Sequence, residues 1–348
     1  MIKVITIVGA RPQFVKAAAL SREFMNNPNI NEIIIHTGQH FDHNMSEIFF
    51  NELEIPSPKY SLNISGGSHG SMTGKMMGLI EQILQDEKPS KVIVFGDTNS
   101  TLAGALTAAK LHIPITHIEA GLRSFNRTMP EEINRVLTDH LSNLLLCPTK
   151  TAIQNLEKEG ITENVYNVGD IMFDATIFAM RFLQNNAQYL DQKFSYLEYS
   201  FAILTIHREE SSKDLKTFYE KFEFAKRFAR ENNLKCIFPV HPRLKSIVGS
   251  LKKESNVIFV KPCSYYEMHY LLKKASYVLT DSGGLQKEAF FHKVPCITLR
   301  SETEWIETID SGWNRLWTEK DFSNRKSTQD FGQGDAAKKI TEILCKYL

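Results

Sequence analysis

Short apolar runs alternate with amphipathic stretches from the first residues of the chain to the last. The runs at residues 3–8, 32–36, 91–95, 113–117, 144–147 and 165–168 have the length and β-branched content of buried strands. Between them, stretches such as 13–25 and 78–86 place apolar positions at helical spacing. Strands separated by helices in this way predict βαβ units with right-handed crossovers and a parallel sheet. A second series follows at residues 201–206, 235–240, 257–260, 277–280 and 295–299. Residues 182–199 are polar, dotted with aromatics and weakly periodic, so the interdomain connection is placed there. The tail, 336–348, predicts a terminal helix with Ile340, Ile343 and Leu344 on one side.

Length fits this division, because 348 residues exceed the roughly 100–200 of a single typical domain. The predicted boundaries are 1–172 for a first Rossmann-like domain, completed by 335–348, and 198–334 for a second, with 173–197 connecting them. The balance of 41 basic against 40 acidic side chains gives no field directed at nucleic acid or an anionic membrane. Five scattered cysteines, none paired at metal-ligand spacing, fit reduced thiols. The first strand starts at residue 3, leaving no room for a signal peptide, and no apolar run nears the roughly 20 residues of a bilayer span. The expectation is a soluble cytoplasmic protein with neither nucleic acid nor membrane as a partner.

The polar residues that punctuate strand ends carry the chemistry. Gly9-Ala10-Arg11-Pro12-Gln13 follows the first strand, with Pro12 suited to open a helix. It is not the glycine fingerprint of dinucleotide binding, so no nicotinamide or flavin cofactor is expected there. Arg11 and, one turn on, Lys16 could clamp a phosphate or polarise a leaving group. Asp97 and Glu119 end neighbouring strands, and a helix opens with Pro130-Glu131-Glu132. In that helix Ile133, Val136, Leu137 and His140 form a stripe read as its buried face, with Glu131, Arg135 and Asp139 on another. Acids gathered where open α/β sheets keep their ligand crevice suit acid/base work, although an ordinary ion-pair ladder gives the same spacing. Asp281-Ser282-Gly283-Gly284 is a strand-to-helix turn built like an anion cradle, and Glu288 follows where a carboxylate could accept two ribose hydroxyls. His36, His40, His207 and His241 also sit at strand ends, without metal-ligand spacing. His207-Arg208 reads as a diphosphate contact. No metal and no covalent nucleophile is expected.

These motifs together resemble the non-hydrolysing UDP-N-acetylglucosamine 2-epimerases. The resemblance runs from Ile5 to about Trp313 and is carried by Gly9-Ala10-Arg11-Pro12, Gly38-Gln39-His40, Gly96-Asp97-Thr98, His117-Ile118-Glu119-Ala120-Gly121-Leu122-Arg123, Pro130-Glu131-Glu132-Ile133-Asn134-Arg135, His207-Arg208, His241-Pro242-Arg243 and Thr280-Asp281-Ser282-Gly283-Gly284-Leu285-Gln286. It implies an α/β protein of the GT-B fold: two Rossmann-like domains with parallel sheets, an interdomain active-site cleft, and the final helix packed on the first domain. It implies epimerisation at C2 of a UDP-activated amino sugar, without a cofactor, by a homodimer. Asp97, Glu119 and Glu131 then match the family's catalytic acids, and Lys16, Arg135 and His207 its supporting polar groups. Arg11, Ser282, Gly283 and Gly284 would hold diphosphate and Glu288 the ribose. His241, Arg243 and Tyr265 are further substrate contacts, with residues 261–268 facing uracil. Gln39 and His40 match a segment where relatives bind an activating UDP-sugar. Which carboxylate removes the proton and which returns it stays open.

One departure bears on the sugar. Relatives acting on UDP-N-acetylglucosamine tend to carry Thr-Glu-Arg where this chain has Thr303-Glu304-Trp305. The lost arginine calls for another cation, for which Arg300 is the candidate. With Gly67-Ser68-His69-Gly70, the Trp305 version resembles the branch acting on UDP-2,3-diacetamido-2,3-dideoxyglucuronate, which feeds O-antigen and surface polysaccharide synthesis. Arg123 and Arg127 are available for the additional carboxylate. A GT-B glycosyltransferase, a hydrolysing epimerase and a nucleotide-sugar sensor are the rival readings.

Overall fold

The structure is a computed structural model, and it describes residues 1–39, 50, 52–207, 214–241, 244–251 and 256–347. Among these, β1 (Ile2–Val8), β2 (Ile30–His36), β3 (Tyr60–Ser61), β4 (Lys91–Phe95), β5 (Ile115–Ile118), β6 (Leu144–Cys147) and β7 (Val165–Asn167) form a seven-stranded sheet in the order β3-β2-β1-β4-β5-β6-β7. Every pairing in it is parallel. The central strands β4 and β5 are buried at every position, and mostly apolar, because both faces of a parallel sheet are covered. Ile5, Ile7, Val92 and Val94 pack with Met76 and Ile80 of α2 (His69–Glu87) and Ala103 and Ala108 of α3 (Asn99–Lys110). Small residues let α3 lie close: a Cβ on Gly104 would come within 2.7 Å of Ile7 Cδ1.

The second sheet repeats the plan. Strands β8 (Phe201–Thr205), β9 (Lys235–Pro239), β10 (Val257–Val260), β11 (Tyr277–Thr280), β12 (Cys296–Thr298) and β13 (Asn314–Leu316) run parallel in the order β10-β9-β8-β11-β12-β13. Two parallel α/β sheets are what the periodicity predicts. In each sheet the winding reverses once, between β1 and β4 and between β8 and β11, and such switch points are where open sheets bind ligands. The chain divides into two units, Met1–Ala175 with Gln329–Leu348, and Thr176–Thr328.

Some elements differ from the sequence expectation. Strands β3 and β13 are two and three residues long, too short for alternation to register. Helix α2 starts at His69 rather than 78, because Ser68 caps it by accepting the Ser71 N–H. The segment at 182–199, expected to be a loose connection, is mostly helix: α6 runs from Ile171 to Lys193, with one non-helical residue at Asn186. Its sparse apolar residues are placed where they count. Leu183, Leu190 and Phe194 are buried in the core of the second unit, and Phe182 stacks on Tyr266 with ring centroids 3.8 Å apart.

The terminal helix α12 (Ala336–Lys346) buries Ile340 and Leu344 of the expected stripe, leaves Ile343 half-buried, and packs on α1 (Arg11–Met25). Its first N–H groups are capped from far along the chain. The Asp174 carboxylate accepts from Ala336 N (3.2 Å) and Ala337 N (2.9 Å). Burial raises the Asp174 carboxyl from 3.8 to about 6, the two N–H contacts opposing it only in part. A carboxyl whose folded value exceeds its unfolded one stabilises the fold most at low pH, and that contribution is lost as pH rises from about 4 to about 6. Asp174→Asn should therefore gain on the parent by about 2 kcal/mol between pH ~4.5 and pH ~7. Urea unfolding of both proteins across that range measures it, and a pH-independent difference would contradict the assignment.

Candidate functional site

The switch point of the first sheet assembles from four turns. Where β1 passes into α1, the Gln13 side chain accepts from Gly9 N (2.8 Å) and Ala10 N (3.1 Å). Its amide donates to Phe95 O and Thr101 Oγ1, each at 2.9 Å. Gln13 thus clips the end of β1 to the end of β4. One turn along α1, Lys16 is buried and ion-paired with Glu119. Arg11, at the first position of the helix, is half-buried.

Strand β4 is followed by Gly96, at φ +60°. A Cβ there would lie 3.2 Å from Glu119 Oε1 and 3.3 Å from Lys16 Nζ, so the glycine makes room for that ion pair as well as for the turn. Asp97 follows and is ion-paired with Arg135, while its carbonyl accepts from Asn134 Nδ2 at 2.9 Å. Glu119, ending β5, has φ +70°, a left-handed conformation uncommon outside glycine and concentrated at functional sites. Its N–H and that of Ala120 both donate to Leu146 O, at 3.0 and 3.2 Å. The sequence-predicted Asp97, Glu119, Lys16 and Arg135 are therefore brought together. Glu131 is half-buried in the first turn of α4 (Pro130–Leu141). Gln39 binds elsewhere on the rim, its Oε1 accepting from Ser100 N (3.0 Å) and Ser100 Oγ (2.8 Å).

Helix α4 reverses the expected burial. Ile133 and Leu137 are 47% and 46% exposed, whereas Glu132, Asn134, Arg135, Thr138 and Asp139 are buried. The polar stripe faces inward because the strand-end turns beneath it need partners. Glu132, to which the sequence reading gave no role, receives Ser124 N, Ser124 Oγ and Phe125 N, each at 2.9 Å, and Arg135 Nη1 at 2.6 Å. Arg123 is also corrected. It is buried between Asp139 (2.7 Å) and a bidentate Glu159 (2.7 Å to each oxygen), and so is committed inside the unit rather than available to a ligand. Arg127 is exposed.

The second unit builds its own switch point. Asp281, buried after β11, accepts the His207 N–H at 3.1 and 3.2 Å and stands 3.8 Å from His207 Nδ1. His207 and His241 stack with centroids 5.9 Å apart. Ser282 caps α10 (Gly283–Phe291), its hydroxyl accepting from Leu285 N, with Gly283 and Gly284 opening the helix. A Cβ on Gly283 would meet Glu304 Oε1 at 2.8 Å, with Trp305 Nε1 and Gln286 Nε2 within 4 Å. Arg300 is paired through Nη1 with Glu304 (2.8 Å), and its buried Nη2 has no hydrogen-bond partner among the described residues. Trp305 is buried, with the Lys287 ammonium 3.6 Å from its ring centroid. Glu288 lies 3.8 Å from His269 Nε2. Tyr265 is buried, its ring edge-on to His269. His40, Arg208, Pro242 and Arg243 lie outside the described residues.

The buried carboxylate of Glu132 gives a direct stability test. Glu132→Ala leaves the Arg135 guanidinium short of a partner and strands the N–H groups of Ser124 and Phe125, so it should cost about 3–5 kcal/mol. Half-exposed Glu131→Gln should cost less than about 1 kcal/mol. Chemical denaturation of both variants separates these values; equal effects would mean the buried network carries no such weight.

Comparison with known proteins places this architecture. Residues 22–345 match the family model of UDP-N-acetylglucosamine 2-epimerase. The chain is 46% identical, over 99% of both chains, to the UDP-2,3-diacetamido-2,3-dideoxy-D-glucuronate 2-epimerase of Pseudomonas aeruginosa. It is 49% identical to a UDP-N-acetylglucosamine 2-epimerase homolog of Methanococcus maripaludis, over 98% of this chain and 99% of that one. The crystal structure of Methanocaldococcus jannaschii UDP-GlcNAc 2-epimerase, in complex with UDP-GlcNAc and UDP, superposes with a TM-score of 0.91 at 40% identity, covering 99% of this chain and 100% of that one. With two parallel α/β units, acids at one switch point and a glycine-opened helix at the other, the chain belongs to the UDP-N-acetylglucosamine 2-epimerase family, isomerases of UDP-sugars.

Proposed function

We propose that this protein inverts C2 of a UDP-linked 2-acetamido sugar by eliminating UDP and adding it back. The observation that carries this reading is the cluster of Asp97, Glu119, Lys16 and Arg135 around Gly96. The C2 hydrogen is not α to a carbonyl, so its direct removal would leave an unstabilised carbanion. Loss of UDP across C1–C2 avoids that, giving a 2-acetamidoglucal, to which UDP returns as a proton arrives on the opposite face. The reaction needs acid/base groups near the ring, and Asp97, Glu119 and Glu131 take those roles. Lys16 and Arg135 fix two of the three carboxylates by ion pairing. General acid/base help of this kind contributes about 10²–10⁴-fold.

Departing UDP requires an anion grip. Ser282, Gly283 and Gly284 at the start of α10 supply N–H groups and the positive end of a helix dipole. Arg11, His207, His241 and Arg243 add polar or cationic contacts, Glu288 takes the ribose, and Tyr265 belongs to the uracil side. Arg300 replaces the cation lost at Trp305: its Nη2 has no partner among the described residues, and its partner Glu304 borders Gly283. Gln39, with His40, serves a second, regulatory UDP-sugar.

We take the sugar to be UDP-2,3-diacetamido-2,3-dideoxyglucuronate, converted from the gluco to the manno epimer for surface polysaccharide synthesis. The Pseudomonas aeruginosa relative and the buried Trp305 support this, and Arg127 is the exposed cation for the sugar carboxylate. A second reading, UDP-N-acetylglucosamine to UDP-N-acetylmannosamine, is favoured by the Methanocaldococcus jannaschii neighbour. The chain works as a homodimer whose contact includes the outward apolar stripe of α4, an arrangement supported by Ile133 and Leu137 standing exposed one turn apart.

In deuterated water, the product epimer recovered as intact UDP-sugar should carry deuterium at C2. Asp97→Asn and Glu131→Gln should each lower kcat by about 10²–10⁴-fold while leaving UDP affinity within about threefold. Intact UDP-sugar without label would indicate a glycosyltransferase instead, and release of UDP with free sugar a hydrolysing epimerase. Comparing kcat/KM for the two candidate sugars decides between them, and Arg127→Ala should lower the value for the uronate by about tenfold or more. Leu137→Glu should shift the sedimentation coefficient from dimer to monomer, and an unchanged value would exclude α4 from the contact.

A further inference from the structure

His117 takes no part in the chemistry derived so far, yet it is wholly buried in β5 and both of its ring nitrogens are engaged. Nδ1 lies 2.7 Å from Asp139 Oδ1, and Nε2 lies 2.7 Å from the Gly96 carbonyl oxygen. Neither a carbonyl nor a carboxylate oxygen can donate, so one ring proton is shared with Asp139 and one is given to Gly96. Gly96 is the residue from which Asp97 departs. The other Asp139 oxygen accepts the Gly121 N–H at 3.1 Å, two residues beyond Glu119. Arg123 donates to the same oxygen at 2.7 Å and is itself held by Glu159. Burial works against charge on Asp139, but His117 and Arg123 outweigh it and hold the carboxyl below its usual range. One pair therefore grips the turn carrying Asp97 on one side and the turn carrying Glu119 on the other.

We propose that His117 and Asp139 are positioning residues for the epimerase reaction: their hydrogen bonds to Gly96 O and Gly121 N set the separation and aim of Asp97 and Glu119. The inference rests on the reading of those two carboxylates as acid/base groups. The links are specific in geometry. Hydrogen bonds to a buried, ionised group are among the stronger ones, and a catalytic group displaced by about 1 Å can cost on the order of 10²-fold in rate. The pair holds backbone groups of the two turns that carry the carboxylates, so its loss should fall on kcat rather than on binding.

Two near-isosteric variants separate its halves. His117→Gln can place an amide N–H where Nε2 meets Gly96 O, whereas His117→Asn can reach only towards Asp139. His117→Asn should lower kcat by about 10²-fold or more, with KM and UDP affinity changed by less than about threefold, and His117→Gln should restore kcat to within about tenfold of the parent. Thermal melts of both establish that they fold. The crystal structure of His117→Asn should show the Gly96-Asp97 turn displaced relative to Arg135. Folded variants that both keep parental kcat, or that lose KM and kcat equally, would overturn the proposal, as would an unmoved turn. Should the parent itself fail to exchange the C2 hydrogen, the functional reading falls, and the position of Asp97 in the variant crystal still decides the positioning role.

Discussion

Buried charge cannot be left alone, and under the carboxyl edge of the first sheet that constraint governs where nearly every polar side chain goes. Lys16, Arg123 and Arg135 are all buried there, and each is matched by a carboxylate. An isolated ion in such a place would cost several kcal/mol, so the cations and acids are arranged as alternating partners rather than as independent groups. The arrangement ties together the ends of β1, β4 and β5, helix α4, and the loop before it. A site whose acids are anchored in this way is preorganised before any ligand arrives.

The same constraint explains helix α4. On the surface of an ordinary domain its apolar stripe would face the core, and its charged stripe would face water. Here the sheet edge below it consists of turns with unsatisfied N–H groups and of acids needing cations, so the polar stripe is drawn inward and Ile133 and Leu137 are left outside. Backbone strain follows the same line. Glu119 holds a left-handed conformation, and the double N–H contact with Leu146 O shows the surrounding structure compensating for it.

The second unit meets a different constraint, the start of a helix at the end of a strand, and uses backbone more than side chains to do it. Two glycines open α10, a serine caps it, and the buried Asp281 fixes the main chain at His207. Around Gly283 the Glu304–Arg300 pair and Trp305 close the turn from the side, with Lys287 seated on the indole ring. A buried ammonium on an aromatic face recovers part of the hydration it has lost.

The sequence by itself made the two parallel sheets legible, because strands covered on both faces read as near-continuous apolar runs, and such runs need no partner to be seen. It also marked Asp97, Glu119, Lys16, Arg135 and the Asp281-Ser282-Gly283-Gly284 turn, since strand ends followed by helix starts are local features. Tertiary structure alone decided which of those residues pair. Gln13, Glu132, His117 and Asp139 each act through at least one partner 7 to 88 residues away, and no local periodicity encodes such a distance. The inversion of α4, the commitment of Arg123, and the cap that Asp174 lends α12 have the same origin. A helix pattern records which residues share a face, but the direction of that face depends on what lies beneath it.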